Sequence, residues 1–211
     1  MELGKAVNTW QQAVTKPYKF FSKFKAKPDL STAVKWAALG GVVSILLNEI
    51  MLLRYGQTDI VSAVIGTLVG GAIIAPIMLL ISSGILLLFA KLLGGKGNYK
   101  NQTYAAAFVQ VPIAIVSGAV SLVFDLLVAP TSFMFGSPVR THDLAGGIFF
   151  AISFAILIYG IYMLVLAFRN VHKYSTMRAI ATLLIPGVLL VILVVLVLLF
   201  FTVAGFSTTA V

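Results

Sequence analysis

The sequence contains no cysteine. Disulfides, thiolate metal sites and thiol nucleophiles are therefore excluded, and the redox compartment leaves no mark on the chain. Charge is nearly as scarce. Charged residues make up 10% of the 211, with only six acids, and there are two histidines. They leave no Ser/His/Asp arrangement, no metalloprotease helix and no Cys/His cluster. No enzyme activity, catalytic residue, cofactor or metal is expected. A cleaved signal peptide is not expected either, because the first apolar run begins only near Val34, after a long lysine-rich stretch.

Apolar surface is abundant instead. The chain is 60% hydrophobic, with a mean hydropathy of +1.07. A soluble domain of this size has no interior large enough to hide that surface, so lipid must be the solvent for most of it. A membrane helix needs roughly 20 apolar residues. Five runs qualify, at 34–53, 60–90, 104–129, 144–168 and 177–204. The second is too long for one upright span and too short for two. It reads as one tilted or kinked helix, with Pro76 as the kink point because proline removes a backbone donor. The predicted fold is an all-α integral membrane bundle of five transmembrane helices with an interfacial amphipathic N-terminal helix. Its parts are an N-terminal segment at 1–30, the membrane domain at 31–206 and a short tail at 207–211.

The basic residues test that count. With the N-terminus in the cytoplasm, 13 of the 15 fall on the inner side and only Arg54 and Arg140 fall outside. This is the expected bias of a membrane protein with a cytoplasmic N-terminus and an extracytoplasmic C-terminus. The stretch "KPYKFFSKFKAKP" interleaves Lys16, Lys19, Lys23, Lys25 and Lys27 with aromatic residues, Phe20 and Phe21 among them. Aromatics favour the membrane interface and lysines favour anionic headgroups. Ahead of it, Ala6, Val7, Trp10, Ala13 and Val14 fall on one side at helical spacing. Anionic lipid headgroups are therefore the expected partners, at Lys16, Lys19, Phe20, Phe21, Lys23, Lys25, Lys27, Lys96, Lys100, Arg169, Lys173 and Arg178. Membrane proteins or a second copy are further candidate partners. Nucleic acid is not expected, since no folded soluble module accompanies the lysines.

Residues 94–98 read Gly-Gly-Lys-Gly-Asn, and a phosphate-binding loop would need different spacing after a strand. The plainer expectation is a bend: Gly94 and Gly95 end one helix and Thr103 or Asn101 caps the next. Ser62, Gly66 and Gly70 form a small-residue stripe, as do Ala33, Ala37 and Gly41, and Gly147, Ala151 and Ala155. Such stripes let helices approach closely, here within one monomer. Glu49, Asp125, His142 and Asp143 lie near outer span ends, where each is expected to end a helix and face water. Asp125 is expected at the outer interface, paired with Arg54 or Arg140. Gln110 is read as a hydrogen bond between helices.

Three stretches carry a family resemblance. "GGKGNYKNQTYAAAFVQVP" resembles the turn between the second and third spans of the Yip domain family, the Ypt- or Rab-interacting membrane proteins. "GIYMLVLAFRNVHKYSTMRAIATLLIP" resembles the same family's turn between the fourth and fifth spans, with His172, Ser175, Thr176, Ala179 and Pro186. "KPYKFF" is similar to its Pro-aromatic pair before the first span. The resemblance implies a five-span, non-enzymatic membrane scaffold that recruits partners or organises membrane through its basic cytoplasmic face. Family members with GTPase partners carry a longer, acidic N-terminal region. The short basic one here argues against small-GTPase binding and suits a compact prokaryotic member in the cell membrane. The alternative function is a small transporter or channel, with Asp125, Glu49 and Gln110 along a polar path.

Overall fold

The computed structural model describes residues 3–23, 29–128, 132–134, 137–139 and 144–208. Two short helices come first, α1 (Leu3–Thr15) and α2 (Pro17–Lys23). The first span is α3 (Leu30–Arg54). The second is built of α4 (Ile60–Gly66), a π-helical stretch (Thr67–Ile74) and α5 (Ala75–Leu92). The third, fourth and fifth are α6 (Tyr99–Leu127), α7 (Leu144–His172) and α8 (Thr176–Thr208). Five helices are long and apolar enough to cross a membrane, as the hydropathy pattern requires. Between α6 and α7 the chain makes a small antiparallel hairpin, β1 (Ser132–Met134) with β2 (Ser137–Val139), which pairs Phe133 with Pro138.

Asp29 starts α3 by accepting hydrogen bonds from the Ser31 and Thr32 amides, and Asp59 starts α4 by accepting from Ser62. Each satisfies amides that have no partner inside the helix. These bonds, the Thr32 and Ser62 contacts foremost, hold both carboxyls below the usual aspartate range. In the second span the response to Pro76 is a widened stretch rather than a simple bend. Proline lacks an N–H and crowds the carbonyl four residues back. The backbone widens just before it, and the Ala75 amide reaches back five residues to the Gly70 carbonyl.

This π stretch packs on α3 through glycines. A Cβ added to Gly41 would lie 2.5 Å from the Gly71 carbonyl oxygen, and one added to Gly71 would lie 2.5 Å from the Val42 Cα. Two backbones therefore touch, which only glycine permits. Ala33 and Ala37 are buried, while a Cβ on Gly66 or Gly70 would meet Glu49 or Ile45 of α3. The first two stripes thus work within the monomer. The third does not: Gly147 has nothing within 4 Å, and Ala151 and Ala155 are exposed.

The N-terminal helices sit on the bundle. Trp10 meets Trp36 of α3 edge-on, with centroids 4.6 Å apart. The Tyr159 hydroxyl of α7 donates to the Val14 carbonyl, and α2 packs along α7. One correction follows. Phe21 is 1% exposed and Phe20 lies partly buried against Phe108, so these rings face protein rather than lipid. Among the described residues of this stretch, the aromatic ring left at the surface is Tyr18, at 62%.

Candidate functional site

Gly94 ends α5 with φ +83°, as a glycine cap should. The Gly95 amide donates to Ala90 O at 2.8 Å and the Gly94 amide to Lys91 O at 3.0 Å, the two bonds of a Schellman cap. The next helix starts earlier than the apolar pattern suggests. Asn98, not Thr103 or Asn101, is its cap, with its side chain accepting from the Asn101 amide at 2.9 Å. Lysine and asparagine dilute the apolar signal over 99–103, which hides this first turn.

The turn is also one wall of a buried polar network. His172, the last residue of α7, sends its Nε2 to the Gln102 Oε1 at 2.7 Å. The Gln102 Nε2 donates to the Ser83 carbonyl at 2.7 Å. Because that amide oxygen only accepts, the histidine Nε2 carries the proton. The ring stacks on Tyr174 at 5.3 Å between centroids. The Tyr174 hydroxyl donates to the Thr182 Oγ1 at 2.9 Å, since the single Thr182 hydroxyl proton goes to Arg178 O. His172, Gln102 and Thr182 are fully buried. The backbone joins in, with the Lys96 amide donating to His172 O at 3.0 Å. Gly95 and Gly97 are glycine for this reason. A Cβ on either would lie 2.6 or 2.8 Å from the His172 Nδ1.

This network ties α5, α6, α7 and α8 together at the end of the bundle where the basic residues collect. Lys16, Lys19, Lys35, Lys91, Lys96, Lys100, Arg169, Lys173 and Arg178 are all exposed. The Lys96 to His172 backbone bond sets the two basic turns side by side. Lys25 and Lys27 lie outside the described residues, as does the side chain of Lys23. Between α2 and the end of α7 is a cavity of about 350 Å³. Arg169, Lys173, Asn170, Ser22 and Tyr18 line it over a floor that includes Phe21 and Leu166. Lys173 donates to Asn170 at 3.1 Å and holds φ at +54°, a left-handed conformation in a residue with a Cβ. Burial raises the neighbouring Tyr174 hydroxyl above its ordinary pKa, so it stays protonated. The arrangement can hold an anion between two cations, with amide and hydroxyl donors beside them.

A family model for the Yip1 domain matches residues 12–199. The chain belongs to the Yip1 domain family. No curated protein and no solved structure matches it. The match takes in α2, both basic turns and the polar network. It makes this Yip1-domain protein a membrane protein with several apolar helices.

Among the described residues, Asp125, Glu49 and Gln110 are not brought together. Asp125 is 1% exposed rather than facing water, and it lines a separate cavity between α3, α6 and α7. Arg140, His142 and Asp143 lie outside the described residues. Arg54 is exposed and sits over the Tyr55 ring. Glu49 faces Gly66 of α4. Gln110 lines a third cavity, of about 130 Å³, with Gly40 and Ala75. Among the described residues no group of three His, Asp or Glu side chains comes together.

Proposed function

We propose that this protein is a non-enzymatic membrane scaffold that grips anionic lipid headgroups at its basic end, with that end in the cytoplasm. The observation that carries this reading is the cavity shared by Arg169, Lys173, Ser22 and Asn170, beside the docked α2. Fixed cations at a membrane interface attract phosphate, and donors in a concave setting orient it. The polar network beneath fixes the end of α7 next to which Lys173 sits. Partner proteins are recruited through the same surface or through the lipid it concentrates. A transport path through Asp125, Glu49 and Gln110 has less support, since the three residues have separate surroundings.

The test is lipid retention. Protein purified in detergent is relipidated with phosphatidylglycerol or phosphatidylcholine, and bound lipid is counted by native mass spectrometry. Phosphatidylglycerol should be retained preferentially, and Arg169→Gln with Lys173→Gln should weaken it. Each cation near an anionic surface contributes about 1 kcal/mol, so the pair should cost roughly 30-fold. Equal retention of both lipids, or an unchanged double variant, would contradict the proposal.

A further inference from the structure

The half of the bundle away from the basic end holds a cavity of about 480 Å³ between α3, α6 and α7. Its polar lining is Ser44 and Asn48 on α3, Ser117, Ser121 and Asp125 on α6, and Ser153 on α7. Ser117, Ser121 and Asp125 follow at four-residue spacing, and so do Ser44 and Asn48, so each set forms one stripe down its helix. Ser44, Ser117 and Ser153 lie nine or ten residues from the helix ends at Arg54, Leu127 and Leu144. At 1.5 Å per residue that is roughly 15 Å, the middle of a hydrocarbon core about 30 Å thick. Three helices thus bring a hydroxyl to one level, deep in the span.

Ser121 and Asp125 have partners within the chain. Ser44, Asn48, Ser117 and Ser153 differ. Among the described residues their side chains have no hydrogen-bond partner. A helical serine can satisfy itself by donating back to its own helix, as Ser82 does to Leu79 O at 3.1 Å. These four side chains do not, and they line open space instead. Bare polar groups in hydrocarbon are costly, and acyl chains offer them no bonds. Water does. It needs a polar, roomy site with roughly two to four partners and about 30 Å³ per molecule, so this cavity has room for about 15. The inner end is shut. A Cβ on Gly40 would lie 2.6 Å from the Val111 side chain, so α3 and α6 close one turn below Ser44. The space is therefore a pocket with a floor and not a path across the bundle.

We infer that this cavity is aqueous: it holds a cluster of water in the middle of the span and admits small hydrogen-bonding solutes from the end of the bundle opposite the basic one. Ser44, Ser117 and Ser153 are its deep ligands, and Asn48 serves one turn nearer the mouth. Hydroxyl and amide groups both donate and accept, which is what water and small polar solutes require.

Thiol reactivity tests this directly, because the native chain has no cysteine. Ser117→Cys and Ser153→Cys place a thiol in the cavity with little change of size. Val116→Cys and Phe154→Cys are the comparison, since each is adjacent in sequence, exposed and not part of the lining. Each protein is reconstituted in lipid nanodiscs and treated with a charged, lipid-insoluble methanethiosulfonate. A thiolate attacks its sulfur, forming a mixed disulfide and releasing methanesulfinate. The thiolate is the reactive form, and apolar surroundings suppress it. Mass spectrometry follows the modified fraction over time. Both cavity positions should react at least tenfold faster than both comparison positions. Ser153→Leu, which fills the cavity, should slow Ser117→Cys at least tenfold. Reaction at either cavity position no faster than at Val116→Cys and Phe154→Cys would show a lipid-filled space and overturn the inference. So would a rate at Ser117→Cys that Ser153→Leu leaves unchanged.

Discussion

Helices α6 and α7 each change character halfway along. From Gln102 to Pro112 almost every residue of α6 is buried, and beyond Pro112 only Asp125 is. In α7 burial begins at Gly160 and runs to His172, and nothing before Gly160 is buried. The α8 helix follows suit, with Ala179 and Thr182 buried and every residue from Gly187 to Phe200 exposed. In these three helices the basic half is thus packed, while the far half has its apolar side chains outward. In lipid there is no hydrophobic pressure to close helices, so contact depends on small residues and polar links. The basic half has both: Ala105, Ala106 and Ala107 permit close approach, and His172, Gln102 and Tyr174 lock it. Between α3, α6 and α7 the far half has Asp125 and its serines around open space.

Glycines offer the sharpest way to break that comparison. Gly95→Val would press a side chain into His172 and the Ala90 carbonyl. Overpacking of this kind costs typically 1–3 kcal/mol, and the backbone contact puts this case at about 3. Gly147→Ala meets nothing within 4 Å and removes a glycine from the first turn of α7, so it should stabilise by up to about 1 kcal/mol, the helix-interior value. Unfolding in mixed micelles, followed by helix content, measures both. Equal responses would mean that the two halves are packed alike.

Lys173 sharpens the contrast at smaller scale. Its left-handed backbone suits glycine better than lysine. Lys173→Gly should therefore raise stability by about 0.5–1 kcal/mol while lowering phosphatidylglycerol retention. Stability and binding moving in opposite directions would show a strained conformation kept for its side chain. Lower stability with unchanged retention would reverse that assignment.

Much of the frame was legible from composition. Each 20-residue apolar run has one solution in lipid, because a helix satisfies its own backbone. The glycine cap at Gly94 follows from local chemistry, so it could be read too. The need for Gly95 and Gly97 could not, because the obstacle is a ring some 75 residues away in sequence. The Asn98 cap was hidden by a polar first turn, and the π stretch by the absence of any sequence pattern for it. Asp125 was legible as costly but not as buried. Its stripe with Ser117 and Ser121 was the available signal. The inward turn of Phe21 depends on α2 docking against α7, which interleaved lysines and aromatics do not specify.

Central to the account is a single basic end that faces the cytoplasm. The native chain has no cysteine, so single cysteines report cleanly. Lys96→Cys, Lys173→Cys and Gln57→Cys, each in an exposed turn, would be labelled with a membrane-impermeant maleimide in intact cells and in inverted vesicles. The account predicts that positions 96 and 173 react only in inverted vesicles and position 57 only in intact cells. Labelling of 96 or 173 from outside the cell, or of 57 from the same side as either, would contradict it.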